Sequence, residues 1–234
     1  MSNCKVIICE GLIGAGKTSL ARELGAALGP ETLVLIEPDE KDGRNPYLAD
    51  YYADPSRWSL SMQTHLLATR YQMQLGAQYH VMSGRGHAVI DRSFYGDTCF
   101  AHLQVKQDIM TAREFDTYSH LYRAMTAHVL LPSVCLRVLA SSAICARRIQ
   151  KRMERETGRK CEGAISIGYL QALEVEIDHM VSILRSQGVV VLDVPWGAER
   201  DTVETREETV RDLADRIRSL RIGEQFLDAH RRVL

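Results

Sequence analysis

The stretch Gly11-Leu12-Ile13-Gly14-Ala15-Gly16-Lys17-Thr18 constrains this chain more than any other. It fits the phosphate-binding loop pattern G-x-x-x-x-G-K-[ST], which requires a strand before it and a helix after it. Both are legible. Cys4 to Cys9 is an apolar run suited to a buried strand, and Ser19 to Leu28 has helical spacing with Leu20, Leu24, Ala27 and Leu28 on one face. Glycines in such a loop let consecutive backbone N–H groups turn inward as an anion nest at a helix N-terminus. Gly11, Ile13, Gly14, Ala15, Gly16, Lys17, Thr18 and Ser19 are therefore the expected triphosphate-binding residues. Lys17 is placed to reach the β- and γ-phosphates, and the Thr18 hydroxyl to ligate Mg²⁺.

Composition limits what such a loop can serve. The chain has 234 residues, 45% of them apolar, enough for one sizeable α/β domain, expected to span residues 1–234. A net charge of −1 argues against nucleic acid as the main partner, because binders of phosphate backbones usually carry a basic excess. The six cysteines are scattered with no C-x-x-C pair and read as free thiols of a reducing, cytoplasmic protein. The chain enters its first strand after three residues, which leaves no signal peptide in this reading. Val129 to Ala146, the most apolar later stretch, is broken by Pro132 and Arg137 and reads as a strand and a helix, not a membrane span.

Further strands are expected at Thr32 to Ile36, His87 to Ile90, Ser133 to Ala140 and Val189 to Val194. Between them lie a short helix over Pro46 to Tyr52 and a long one over Ser56 to Met82, whose apolar side is read as Leu60, Leu66, Leu67, Tyr71 and Leu75. Helical pattern recurs over Phe94 to Leu103, Thr111 to His128, Ala143 to about Glu156, Ser166 to Gln187 and Asp201 to Leu220. Alternating strands and helices predict a parallel five-stranded sheet with helices on both faces. Ligands of such sheets bind beyond the carboxyl ends of the strands. That rule gathers the loop, Glu37 after the second strand and Asp91-Arg92 after the third into one cleft.

Phosphoryl transfer needs a nucleophile relieved of its proton, a clamp on the transferring group and charge compensation. Glu37 is positioned to accept a proton from a substrate hydroxyl. Asp91 ends a hydrophobic strand, as a water-mediated Mg²⁺ holder does, and Arg92 can orient both Glu37 and the attacking oxygen. Arg148, Arg152 and Arg155 recur at helical spacing, and residues from about 148 to 163 read as a basic lid over the phosphates; the alternative is a solvated helix face.

In combination these pieces resemble the deoxyribonucleoside kinase family, which phosphorylates the 5′-hydroxyl of deoxynucleosides with ATP. The resemblance is carried by E-G-L-I-G-A-G-K-T-S, by Glu37-Pro38, by N-P-Y-L-A-D-Y-Y-A-D-P-S-R-W and by Gln63 in S-M-Q-T-H-L-L-A-T-R. D-R-S-F-Y-G-D, R-I-Q-K-R and I-S-I-G-Y-L-Q-A-L complete it, and the N-P-Y-L and D-R-S forms are most similar to bacterial deoxyadenosine and deoxyguanosine kinases. It implies a P-loop kinase fold, ATP and Mg²⁺, a deoxynucleoside substrate and a homodimer. It also implies Glu37 as general base with Arg92 as its partner, beside Lys17, Arg148 and Arg152, which the loop motif and the helical spacing already place at the transferring phosphoryl group. Tyr52 would hold the sugar 3′-hydroxyl, Gln63 would meet the base edge, and Arg70 and Asp97 would complete the base pocket, with Phe94 and Phe100 nearby. The lid departs from the family pattern by several extra residues. Counting back from Ile165 gives Glu162 as the sugar-contacting acid, counting forward from Arg152 gives Glu156, and Arg155 and Arg159 both stand as its last arginine.

Two other classes share the loop. A nucleoside monophosphate kinase would need further cations for the acceptor's phosphate, and none is evident around Tyr47 to Gln63; a GTPase-type switch would need an N-K-x-D motif, which is absent. A kinase acting on a base or sugar within DNA fits poorly with the near-neutral charge.

Overall fold

The computed structural model describes residues 4–37, 45–155, 163, 165–197 and 203–221. Its centre is β1 (Val6–Glu10), every residue of which is buried. β1 lies between β3 (Ala88–Asp91) and β4 (Val134–Leu139), with β2 (Leu33–Leu35) and β5 (Val190–Pro195) outside them. All four pairings of this five-stranded sheet are parallel, with Ile8 opposite Ile90 on one side and opposite Cys135 on the other. The chain is thus an α/β protein of the doubly covered kind, and its inner strands are apolar runs for that reason.

The phosphate loop leads into α1 (Lys17–Leu28), which packs with the C-terminal α8 (Val203–Ser219). Arg206 of α8 pairs there with Glu23. The long α3 (Pro55–Met82), α4 (Phe94–Lys106) and α7 (Ile167–Ser186) pack in sequence against one another. α3 starts on Pro55 with Asp54 capping the Arg57 N–H at 3.2 Å, and α5 (Ala112–Thr126) opens on a capping box between Thr111 and Glu114. The short α2 (Leu48–Ala53) rests on α3 through a small apolar cluster of Tyr51, Met62 and Leu66. α6 (Ser142–Arg155) is the basic helix.

Three differences from the sequence reading have physical causes. β1 extends through Glu10, not ending at Cys9, because the Glu10 carboxylate finds donors on the turn after β3. β2 shrinks to three residues, since it is an edge strand with one neighbour. The largest correction concerns α3. Its buried face is Ser59, Met62, Gln63, Leu66, Leu67, Arg70, Gln74, Ala77 and Gln78, whereas Leu75 is exposed and Leu60 and Tyr71 only partly covered. The spacing is helical, but half of that face is polar because it borders a cleft as well as the core.

α1 lies so close to β2 that a Cβ on Gly25 would come within 2.2 Å of Val34 Cγ2. Gly25→Ala exchanges a helix-propensity gain of up to about 1 kcal/mol for overpacking of about 1–3 kcal/mol. A net loss of about 1 kcal/mol is expected, read as a lower urea midpoint at unchanged slope.

Candidate active site

The carboxyl ends of β1, β2 and β3 open on a cleft of about 790 Å³. On its floor the phosphate loop turns through left-handed backbone at Gly14 (φ 79°) and Gly16 (φ 98°), conformations open to glycine. Gly16 is also hemmed in, since a Cβ there would lie 2.6 Å from the Trp196 ring. Ile13, Gly14, Gly16, Lys17, Thr18 and Ser19 line the cleft. Gly11 and Ala15 support it from beneath. The Gly11 carbonyl accepts from Lys17 Nζ and from Arg92 NH2, both at 3.2 Å, and the Ala15 carbonyl from Arg148 NH1 at 2.9 Å. Burial, followed by the nearby Arg92 charge, lowers the Lys17 ammonium to about 8.

Thr18 Oγ1 donates to Asp91 Oδ2, while Asp91 Oδ1 is buried with no hydrogen-bond partner among the described residues. An orphaned carboxylate oxygen beside a hydroxyl at the head of a phosphate loop suits Mg²⁺, which prefers oxygen ligands and keeps several of its waters. No group of three or more His, Cys, Asp or Glu side chains able to hold a metal occurs among the described residues. The rest of the coordination would therefore fall to phosphates and water.

Glu37, just past β2, stands at the centre of the cleft. Arg70 NH2 reaches its Oε1, and Arg92 Nε lies 3.4 Å from the carboxylate. The sequence reading pairs Glu37 with Arg92; the structure makes Arg70 the nearer partner. Burial alone would raise the Glu37 pKa, but the charges of Arg70, Arg92 and Lys17 outweigh it and hold the carboxyl at about 2. Arg92 is itself buried in left-handed backbone (φ 64°), uncommon for a residue with a Cβ, with its guanidinium 4.8 Å above the Phe100 ring. Constraint of this kind persists where the surroundings over-determine it. Glu10 does much of that here, because its Oε1 accepts from Ser93 N at 2.8 Å and from Ser93 Oγ at 2.6 Å.

Tyr52, Gln63 and Arg70 line the other half of the cleft with Tyr51 and Tyr169. Gln63 Nε2 donates to the Asp97 backbone carbonyl at 3.2 Å. Asp97 is fully buried behind Arg70: Oδ1 pairs with Arg70 NH1, and Oδ2 accepts from Tyr118 hydroxyl at 2.6 Å. Phe100 lines the cleft, whereas Phe94 lies in the core against Tyr95 and Tyr122. Arg148 and Arg152 face the cleft from α6, and Arg155 is exposed at the end of that helix. Glu162, Glu156 and Arg159, within residues 156–162 of the lid read at 148–163, lie outside the described residues.

A family model described as deoxynucleoside kinase matches residues 7–220. The chain belongs to the deoxynucleoside kinase family. It is 33% identical over 192 residues to deoxyguanosine kinase of Dictyostelium discoideum, covering 82% of this chain and 64% of that protein. Against the deoxyadenosine/deoxycytidine kinase of Bacillus subtilis it is 28% identical over 218 residues, 92% of each chain. The structure of deoxyadenosine kinase from M. mycoides superposes with a TM-score of 0.71 at 22% identity, covering 91% of this chain and 99% of that one. The chain spans a little under two thirds of the Dictyostelium deoxyguanosine and deoxyadenosine kinases, 64% and 62% of their lengths.

In this family member, sequence reasoning misses Glu10, Tyr118 and Trp196 as supports of the site. Glu10 carries a signal, as an acid closing an apolar strand just as Asp91 does. Tyr118 carries none, because its role depends on α5 meeting α4.

The Glu37 arrangement has a consequence in acid. Its native pKa of about 2 lies below the ordinary 4.5, so its stabilisation is full above that ordinary value and is lost as pH falls towards 2. Glu37→Gln should therefore melt below the parent at pH 7, and the gap should narrow below about pH 4.5. Calorimetry from pH 3 to 7 checks this, and a gap constant over that range removes the ion pairs as its source.

Proposed function

We propose that this chain transfers the γ-phosphoryl group of ATP to the 5′-hydroxyl of a deoxynucleoside, giving the 5′-monophosphate. The observation that carries the reading is the position of Glu37, in one cleft between the phosphate loop and the polar face of α3. The triphosphate takes the loop N–H groups and Lys17, and Arg148 and Arg152 compensate charge on the transferring group. Thr18 and Asp91 would hold Mg²⁺, which would supply charge compensation to the triphosphate. Tyr52 and Gln63 orient the nucleoside so that its 5′-oxygen meets Glu37.

A carboxylate with a pKa near 2 is a weak base. Phosphoryl transfer tolerates this, because its transition state is loose and little charge gathers on the nucleophile before the new bond forms. Glu37 thus orients the hydroxyl first and receives the proton late. Asp97 is enclosed by Arg70 and Tyr118, so in this reading it completes the base pocket through Arg70, which lines the cleft beside Gln63. The Arg70–Asp97 pair with Gln63 is read to leave thymidine poor; the preference for purine deoxynucleosides over deoxycytidine rests on the N-P-Y-L and D-R-S resemblance and agrees with the names of the relatives. Among the described residues the acceptor half of the cleft holds no cation beyond Arg70 and Arg92, both paired with Glu37, for the phosphate of a nucleoside monophosphate.

The chain is read as a single kinase domain of nucleotide salvage working in the cytoplasm. Five of its cysteines are free thiols, and no helix of the described residues is long and apolar enough to cross a membrane. It is also read as a homodimer, consistent with the exposed Ile167 and Val175 on α7; sedimentation at the 26.4 kDa of one chain overturns that.

The deciding assay offers the four deoxynucleosides and their monophosphates as acceptors, with ATP and Mg²⁺. The purine deoxynucleosides should show the highest kcat/KM. Thymidine as best substrate overturns the pocket reading, deoxycytidine as best overturns only the purine preference, and turnover of monophosphates alone overturns the nucleoside-kinase reading. Glu37→Gln should lower kcat by roughly 10²-fold or more with little change in nucleoside affinity. Near-normal turnover removes Glu37 from the chemistry.

A further inference from the structure

Arg70 joins two carboxylates with different freedom to move. Asp97, at one prong of the guanidinium, is fully buried, receives the Tyr118 hydroxyl at 2.6 Å on its other oxygen, and its backbone carbonyl accepts from Gln63. Glu37, at the other prong, follows a three-residue edge strand, and its side chain is 29% exposed to the cleft. Arg70 Nε is buried and has no hydrogen-bond partner among the described residues. The guanidinium thus has one end anchored, one end on the reacting carboxylate, and an unused Nε, in a residue that lines the cleft.

We propose that Arg70 is a latch on Glu37: it occupies the Glu37 carboxylate until a nucleobase takes hydrogen bonds from it, and recognition of the base thereby releases Glu37 to the acceptor hydroxyl. The proposal rests on the nucleoside-kinase reading above and adds to it a positioning role for Arg70, beyond contact with the base. Arg92, the second partner of Glu37 at 3.4 Å, keeps the freed carboxylate oriented.

The chemistry explains why such a latch would matter. In transfer, the 5′-oxygen bonds to the γ-phosphorus as the bond from that phosphorus to the β–γ bridging oxygen breaks. The electron pair leaves with ADP, and the hydroxyl proton passes to Glu37. Water in place of the alcohol undergoes the same exchange and yields inorganic phosphate. An available Glu37 beside bound ATP would assist that hydrolysis, whereas a carboxylate occupied by Arg70 does not. Keeping water out of a half-filled site is a recurrent problem for transferases.

The test is ATP hydrolysis by the full chain with Mg²⁺ and no acceptor, followed as phosphate release. A 5′-deoxy nucleoside such as 2′,5′-dideoxyadenosine carries the base and lacks the acceptor hydroxyl. At a concentration that halves phosphorylation of deoxyadenosine, it should raise wild-type hydrolysis about tenfold, equivalent to about 1.4 kcal/mol of barrier. 2-Deoxyribose, without a base, should raise nothing. Arg70→Met should hydrolyse ATP at the raised rate with no base present, and adding Glu37→Gln should return it to the parental rate. Hydrolysis unchanged or lowered by the dideoxynucleoside overturns the latch, as does stimulation by 2-deoxyribose alone. The wild-type arms need no substitution, so they decide the matter even where Arg70→Met misfolds. Failure of the underlying reading has a different signature: the parent phosphorylates none of the four deoxynucleosides, and the latch falls with it.

Discussion

Bringing a triphosphate and an alcohol together requires charge inside the protein, and buried charge is tolerated only where opposite charge or hydrogen bonds meet it. Lys17, Arg70 and Arg92 here face Glu10, Glu37, Asp91 and Asp97, and all but Glu37 are almost wholly buried. These groups come from β1, the loop, β2, α3, β3 and α4, so the network also fixes the relative positions of those elements. Taking one partner from such a set strands the other, at about 3–5 kcal/mol for a buried pair. Burial pushes Glu10, Asp91 and Asp97 upward, whereas two guanidiniums and an ammonium carry Glu37 the other way. The same burial is thus outweighed at Glu37, where three cations converge, and is only partly offset at the other three carboxylates.

The parallel sheet makes that concentration possible. Every strand ends at the same edge, and the loops there can be polar without opening the core. Packing then holds the phosphate loop from three directions. Gly11 lies under Val138 of β4, Gly14 under Cys145 of α6 and Gly16 under Trp196, which in turn carries the Arg206 guanidinium 5.2 Å from its ring centroid. A loop whose N–H groups must stay aimed at an anion benefits from such confinement, since preorganised donors need no reorganisation on binding.

Much of this is legible in the sequence, and the gaps follow a pattern. The parallel sheet, the loop and the placement of Glu37, Asp91 and Arg92 follow from local runs of residues, because each is an apolar strand with a polar stop. The pattern of α3 misleads on both sides: Leu75 reads as core, while Gln63 and Arg70 on spacing alone read as surface. Hydrophobic periodicity assumes that a buried face is apolar. A helix bordering an internal polar site breaks that assumption, and only the family resemblance recovers Gln63 and Arg70. The Arg70–Glu37 contact and the Tyr118 anchor on Asp97 have no local signal at all, since each joins elements far apart in the chain.

Glu10 and Gly96 show what this kind of packing imposes over longer times. A Cβ on Gly96 would stand 2.3 Å from Glu10 Oε2 and 2.9 Å from its Cδ, and Ser93 holds that carboxylate in place. The acid at the end of the first strand and the bare position in the fourth helix are halves of one steric agreement. Neither can drift alone: a side chain at 96 demands a shorter residue at 10, and losing the acid at 10 unpins the turn that carries Arg92. Substitutions at these two positions should therefore travel in pairs through the descent of the chain.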